Sequence, residues 1–145
     1  MDPQQRLFLE MAVEALDDAG IAAASLAGSD TAVYAGVSSP SYGVMQGLEE
    51  RTTDAYTMTG GATSNVANRV SYFLDLHGPS LAVDTACSSA LVHHACEAVR
   101  TGRCAVALAG GVHLLLSPFE FLGFAKASMP SPTGYCHTFS AAADG

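Results

Sequence analysis

Apolar residues recur at helical spacing through "MDPQQRLFLEMAVEALDDAG" (1–20), at Leu7, Met11, Ala15 and Ala19, which predicts an amphipathic helix. Asp2 stands at its N-cap, Pro3 at its first helical position, Gln5 where a capping-box partner sits, and Gly20 closes it. After a polar segment of small residues, the uninterrupted apolar run "TAVYAGV" (31–37) predicts a short buried strand. The glycine- and hydroxyl-rich stretch 38–62 reads as loop with room for one short helix. Val66, Val70 and Phe73 then mark a second helix within "TSNVANRVSYFLDLHGPS" (63–80), with His77, Gly78 and Pro79 as its stop. "SLAVDT" (80–85) predicts a strand, and "SSALVHHACEAVRTG" (88–102) a helix striped by Leu91, Ala95 and Val99 and ended by Gly102. "CAVALAGGVHLLL" (104–116) reads as buried strand, "PFEFLGFAKASM" (118–129) as helix, and "PSPTGY" (130–135) as turn. Strands alternating with helices predict an α/β layered fold with at least part of its sheet parallel.

Composition narrows the function classes. The 145 residues are 49% hydrophobic and 14% charged, which fits one globular unit and not a disordered chain. Net charge is −8, and Arg6, Arg51, Arg69, Arg100, Arg103 and Lys126 form no basic run, which argues against nucleic acid or an anionic membrane as partner. The longest apolar stretch, 104–116, is shorter than the roughly 20 residues of a spanning helix, and the N-terminus lacks a signal-peptide pattern, so a cytoplasmic protein is expected. Cys87, Cys96, Cys104 and Cys136 include no Cys-x-x-Cys pair, and the histidines at 77, 93, 94, 113 and 137 are not at finger spacing. No metal site and no disulfide is expected, and each thiol is to be judged singly. Cys96 and Cys104 read as buried and inert, while Cys136 falls in a turn-rich segment whose pattern assigns it no role.

Cys87 stands where the strand "LAVDT" turns into the helix "SSALV". Unpaired amides and the dipole at a helix N-terminus favour negative charge, which lowers a thiol pKa and supplies thiolate near neutral pH. The same amides would hold an oxyanion forming on a carbonyl attacked by that sulfur. Geometry alone leaves two readings open, a nucleophile or a small buried thiol. The small residues of "TACSSA" favour close substrate approach, but no Gly-x-Ser/Cys-x-Gly elbow is present. Asp84, three residues earlier, is expected to cap or brace the turn. Met45, Met58 and Met129 read as core or loop fillers ahead of an acyl-tunnel lining.

Four segments together, "MDPQQRLFLE", "NRVSYFLDLHGPSLAVDTACSSALV", "LAGGVHLLLSP" and "MPSPTGYCHTFSAAADG", resemble the β-ketoacyl synthase (ketosynthase) domain of type I modular polyketide synthases. The resemblance implies a thiolase-like layered α-β-α-β-α fold, built from two similar halves and usually homodimeric, of which residues 1–145 cover mainly the first half as a partial domain. It implies that Cys87 is the acyl-accepting nucleophile and that its backbone N–H forms part of the oxyanion hole. It further implies acyl transfer from the phosphopantetheine arm of an acyl carrier protein, then decarboxylative condensation with a malonyl-type extender, with no cofactor bound directly.

The family's decarboxylation step relies on two histidines and a lysine whose motifs do not occur in these residues, so the chain reads as a fragment, inactive by itself. His93 and His94 do not replace them: six and seven residues beyond Cys87 on a helix, they lie roughly 9–10 Å further along the axis, too far for proton transfer. Between "CSSALV" and "HACEAV" the family has about two more residues than this chain, which on a helix is a turn of about 200° and a shift of about 3 Å. Three competing readings are a fatty acid synthase condensing domain, an α/β cysteine hydrolase that releases the acyl group to water, and an orphaned non-catalytic half-domain that exposes apolar surface.

Overall fold

The computed structural model describes residues 1–48, 53–86 and 89–144. These fall into two compact units, divided after Leu114.

The first unit contains helices α1 (Pro3–Asp18), α2 (Ser41–Gly47), α3 (Thr57–Gly61), α4 (Asn65–Phe73) and α5 (Ser89–Arg100), and strands β1 (Ala32–Gly36), β2 (Ser80–Val83) and β3 (Ala107–Gly111). A single 3-10 turn spans Ala23–Leu26. The sheet order is β2-β1-β3 and both pairings are parallel, with Gly36 level with Val83 on one side and Gly111 on the other. The parallel α/β reading of the sequence therefore holds.

The central strand is buried on both faces, which is why "AVYAG" shows no apolar alternation. Val33 and Ala35 join Phe8, Leu16, Val66 and Val70 in one core under α1 and α4; Ala32 and Tyr34 join Leu91, Ala95 and Ala98 in a second core under α5. The unit is thus a three-layered α-β-α sandwich.

Three helices end in the same way. Gly20, Asp75 and Gly102 each take a left-handed φ, at 68°, 53° and 70°. In each case that residue's N–H and the next one's bond back to the last turn: Gly20 to Asp17 and Ile21 to Leu16, Asp75 to Tyr72 and Leu76 to Ser71, Gly102 to Val99 and Arg103 to Ala98. These are Schellman closures. Gly20 and Gly102 act as the sequence predicts. The second helix instead stops at Phe73, before the expected His77–Pro79, because Asp75 takes the left-handed position that asparagine and aspartate tolerate best after glycine. Gly78 has a separate duty: a Cβ there would lie 2.1 Å from the Asp30 carbonyl oxygen.

Several expected faces are rotated. In α1 the buried residues are Gln4, Gln5, Phe8, Ala12 and Leu16, while Leu7 and Met11 of the expected stripe are exposed. In α4 Val66 and Val70 are buried as expected, but Phe73 is exposed and Ala67 takes its share of the core. In α5 the inward stripe is Leu91, Ala95 and Ala98, with Val99 outside. Residues 38–62 hold two short helices, α2 and α3, and not one; residues 49–52 lie outside the described set. The strand expected over 104–116 is only Ala107–Gly111 and is partly exposed; among the described strands it pairs with β1.

The second unit, from Leu115 onward, contains α6 (Pro118–Lys126), as "PFEFLGFAKASM" predicts, followed by turns. No described residue of this unit is buried, and Phe119, Phe121, Leu122 and Phe124 are all exposed.

Candidate active site

The carboxyl ends of the three parallel strands are level with one another, the edge at which α/β sheets collect their chemistry. Val37 N–H donates to Val83 C=O at 3.2 Å and Val112 N–H to Gly36 C=O at 2.9 Å, which ties the three chain segments together as they leave the sheet. From Val83 the chain turns through Asp84, Thr85 and Ala86. The carboxylate Oδ1 of Asp84 accepts from Ala86 N–H at 3.1 Å, the bracing role expected of Asp84, and Ala86 takes a left-handed φ of 56°. Helix α5 starts at Ser89.

Cys87, with its backbone N–H, and Ser88 lie outside the described residues. What is described is the frame on either side: a strand end and a strained turn before Cys87, a helix start after it. A non-glycine residue held left-handed next to a strand-to-helix junction is a local cost that tertiary contacts must offset.

Small residues end the neighbouring strands. Gly36, Gly110 and Gly111 sit at the strand ends, and Leu91 packs over Gly36. Tyr34, buried on the α5 side of β1, stacks on His94 with ring centroids 6.2 Å apart and planes 22° from parallel; His94 in turn meets the His93 ring edge-on. Both histidines are exposed, in keeping with a packing or surface role. Arg100 pairs with Glu97 in the last turn of α5, where a cation suits the helix dipole.

The remaining thiols separate. Cys104 is buried, as expected, in the loop before β3. Cys96 is exposed on the outer face of α5, a correction to its expected burial; Ala95 and Ala98 take the inner face instead. Cys136 is exposed, and its thiol pKa is lowered by the side-chain hydroxyl of Thr138, 2.8 Å away, and then by the Thr138 backbone. Met45, Met58 and Met129 are all exposed, which leaves the loop half of their reading as core or loop fillers.

One polar cluster escaped the sequence reading. Gln5 is fully buried and does not serve as a capping-box partner: its Nε2 donates to the carbonyls of Thr59, Gly60 and Ala62, at 3.3, 3.0 and 3.1 Å, and its Oε1 accepts from Arg69 Nε at 2.8 Å. Gln4 bridges in the same manner, from Nε2 to the Ser39 carbonyl at 3.0 Å and from Leu114 N–H to Oε1 at 3.3 Å. The only local signal was two adjacent glutamines in the first turn of an amphipathic helix.

An apolar groove of about 250 Å³ lies between α1 and β3, lined by Leu7, Phe8, Met11, Leu108, Gly110 and Val112 among others. It holds no acid, base or nucleophile and so offers space without chemistry. Among the described residues no group of three or more His, Cys, Asp or Glu side chains could hold a metal ion, and no helix is long and apolar enough to cross a membrane.

The sequence profile of the β-ketoacyl synthase N-terminal domain matches residues 1–145. The chain belongs to this family. It is 54% identical over 147 residues to one subunit of the phenolphthiocerol/phthiocerol polyketide synthase of Mycobacterium tuberculosis, covering all of this chain and 8% of that protein. A reducing polyketide synthase of Aspergillus oryzae is 48% identical, again over the whole chain and 6% of its own length. Among solved structures, the ketosynthase from module 6 of the bacillaene synthase of Bacillus subtilis superposes with a TM-score of 0.82 at 39% identity, and covers 100% of this chain and 24% of its own. An oxazolomycin ketosynthase domain of Streptomyces albus gives 0.81 at 39% identity, over 99% of this chain and 26% of its own. The fold is that of the N-terminal portion of a thiolase-like ketosynthase.

The alignment with the mycobacterial relative takes in all 145 residues over 147 positions, so two positions are filled only in the relative. The count equals the shortfall that the sequence suggests after Val92. Helix α5 is nevertheless α-helical without interruption from Ser89 to Arg100.

Proposed function

We propose that this chain is part of a ketosynthase of a type I polyketide synthase and carries its acyl-accepting nucleophile, Cys87. The observation that supports this most is the family match along all 145 residues, which takes in "GPSLAVDTACSSA" at a strand-to-helix junction at the carboxyl edge of a parallel sheet. The relatives named above are polyketide synthases or their ketosynthases, which favours that origin over a fatty acid synthase.

The chemistry follows from the position. Amides at the start of a helix favour the Cys87 thiolate, and the Cys87 N–H belongs to the oxyanion hole. The thiolate attacks the carbonyl of an acyl group borne on the phosphopantetheine of an acyl carrier protein; a new C–S bond forms, the old one breaks, and the phosphopantetheine thiolate leaves and takes a proton. A malonyl-type extender then loses CO2, and its carbanion attacks the Cys87 thioester, which forms the C–C bond and releases the thiolate. Groups outside these 145 residues serve the decarboxylation. The complete domain acts as a homodimer, in the cytoplasm, with no cofactor bound directly.

The test uses the complete ketosynthase that carries this segment, incubated with an acyl carrier protein loaded with a short acyl group. Mass spectrometry is expected to find the acyl mass on the Cys87 peptide, stable until malonyl carrier protein is added, and Cys87→Ala is expected to abolish it. Steady release of free acid without an extender would instead indicate a cysteine hydrolase.

A further inference from the structure

Gly36 closes β1, and a Cβ on it would lie 2.6 Å from Leu91 Cδ1, closer than two carbons approach without one moving. Leu91 therefore fills the space that any other side chain at 36 would claim, and it is itself 1% exposed. The rest of the buried stripe of α5 is Ala95 and Ala98, whose methyl groups let the helix lie close to the sheet but resist rolling poorly. Leu91 is the one bulky aliphatic among the described residues of that stripe, and it stands in the first turn of α5, four residues after Cys87. Gly36 is level with Val83, the last residue of β2 before the turn toward Cys87. One contact thus joins the first turn of α5 to the end of β1, level with the end of β2.

We propose that Leu91 seated over Gly36 is a positioning contact that sets the rotation of the α5 N-terminus and, through it, the reactivity of the Cys87 thiol; the proposal rests on the ketosynthase reading above. A helix that rolls or lifts at Leu91 changes the aim of its N-terminus, on which the ketosynthase reading relies for thiolate and oxyanion stabilisation. Small errors of aim of this kind slow a reaction far more than they destabilise a fold.

The experiment compares four forms of the complete ketosynthase: wild type, Gly36→Ala, Gly36→Ala with Leu91→Val, and Cys87→Ala. The probe is butyryl-N-acetylcysteamine thioester, and the readouts are the rate of single acylation by intact-protein mass spectrometry across pH and the thermal melting curve. Gly36→Ala is expected to melt as a folded protein and to acylate roughly ten- to a hundredfold more slowly, with its rate-against-pH inflection moved upward because the helix amides favour the thiolate less. Moving one carbon from 91 to 36 in the double variant conserves volume and is expected to return both rate and inflection toward wild type. A wild-type rate and profile in Gly36→Ala would overturn the proposal, and so would a double variant no faster than the single. Should Gly36→Ala not fold, Leu91→Ile, which changes shape at constant volume, takes its place with the same expected slowing, and an unchanged rate would overturn the proposal. An adduct that persists in Cys87→Ala would overturn the ketosynthase reading instead.

Discussion

The two faces of β1 are packed by different means. Toward α1 and α4, Val33 and Ala35 meet phenylalanine, leucine and valine side chains from several elements, so that the loss of any one leaves many others. Toward α5, Ala32 and Tyr34 meet a stripe of one leucine and two alanines, with Cys104 beside them. The first face is a broad aliphatic core that holds the unit together. The second is a close approach held in register by few side chains, and it bears the helix that begins just after Cys87. The contrast is between a face packed by many large side chains and one packed by a single leucine among small residues, and the proposed alignment by Leu91 depends on it.

Truncation on each face is the strongest way to break that comparison. Leu16→Ala, in the complete ketosynthase, is expected to cost at the upper part of about 2–5 kcal/mol in chemical denaturation while the folded fraction acylates at the wild-type rate. Leu91→Ala is expected to cost toward the lower part of about 2–5 kcal/mol, because its neighbours are small, and to slow acylation in the folded fraction. Equal effects on acylation from both variants would erase the distinction between the faces.

A smaller effect sharpens the first face. The Asp2 carboxylate, itself buried, caps α1 by accepting from Gln4 N–H at 2.8 Å. Asp2→Ala is expected to cost about 1–2 kcal/mol by denaturant titration, with Asp2→Asn retaining most of the stability. A loss in acylation rate larger than in stability would mean that α1 also aligns the site.

The smallest effect lies away from both faces. Thr138 holds the Cys136 thiol below the ordinary cysteine value, so its alkylation by iodoacetamide is expected to rise at a lower pH than that of an unstructured cysteine peptide. Thr138→Val is expected to move that rise upward, with no change in acylation at Cys87. The sign is fixed by linkage: a thiol pKa lower in the folded state stabilises the fold above the unfolded pKa, and the effect is lost as pH falls through the lowered value. On a fully exposed group this is a probe of local geometry and not a source of stability.

Much of the fold was legible because it is locally encoded. The Asp2 cap, Pro3 at the helix start and the two closing glycines, Gly20 and Gly102, act within a few residues of chain and fall where the pattern predicts. The faces of the helices were less legible. In α1 two stripes a single residue apart compete, Leu7-Met11-Ala15 and Phe8-Ala12-Leu16, and the second wins because it continues into Gln4 and Gln5, whose amides find carbonyls more than thirty residues away. The only local sign of the buried glutamines is that two stand side by side in the first turn. Likewise Val99 and Ala98 are both apolar, and the sheet chose the smaller because α5 lies close above Ala32 and Tyr34. The motif around Cys87 was legible by resemblance, and the contact Leu91 over Gly36 was not, since 55 residues separate its partners.

By itself, then, the sequence determined the family, the alternation of strands and helices, the parallel pairing that this alternation demands, and most helix ends, since each depends on short-range sterics, on backbone hydrogen bonds or on a contiguous motif. Only the tertiary structure decided which side of each helix is inside and that Cys96 lies on the outer side of α5, because burial is settled by what lies opposite a residue in space and not by its neighbours in the chain.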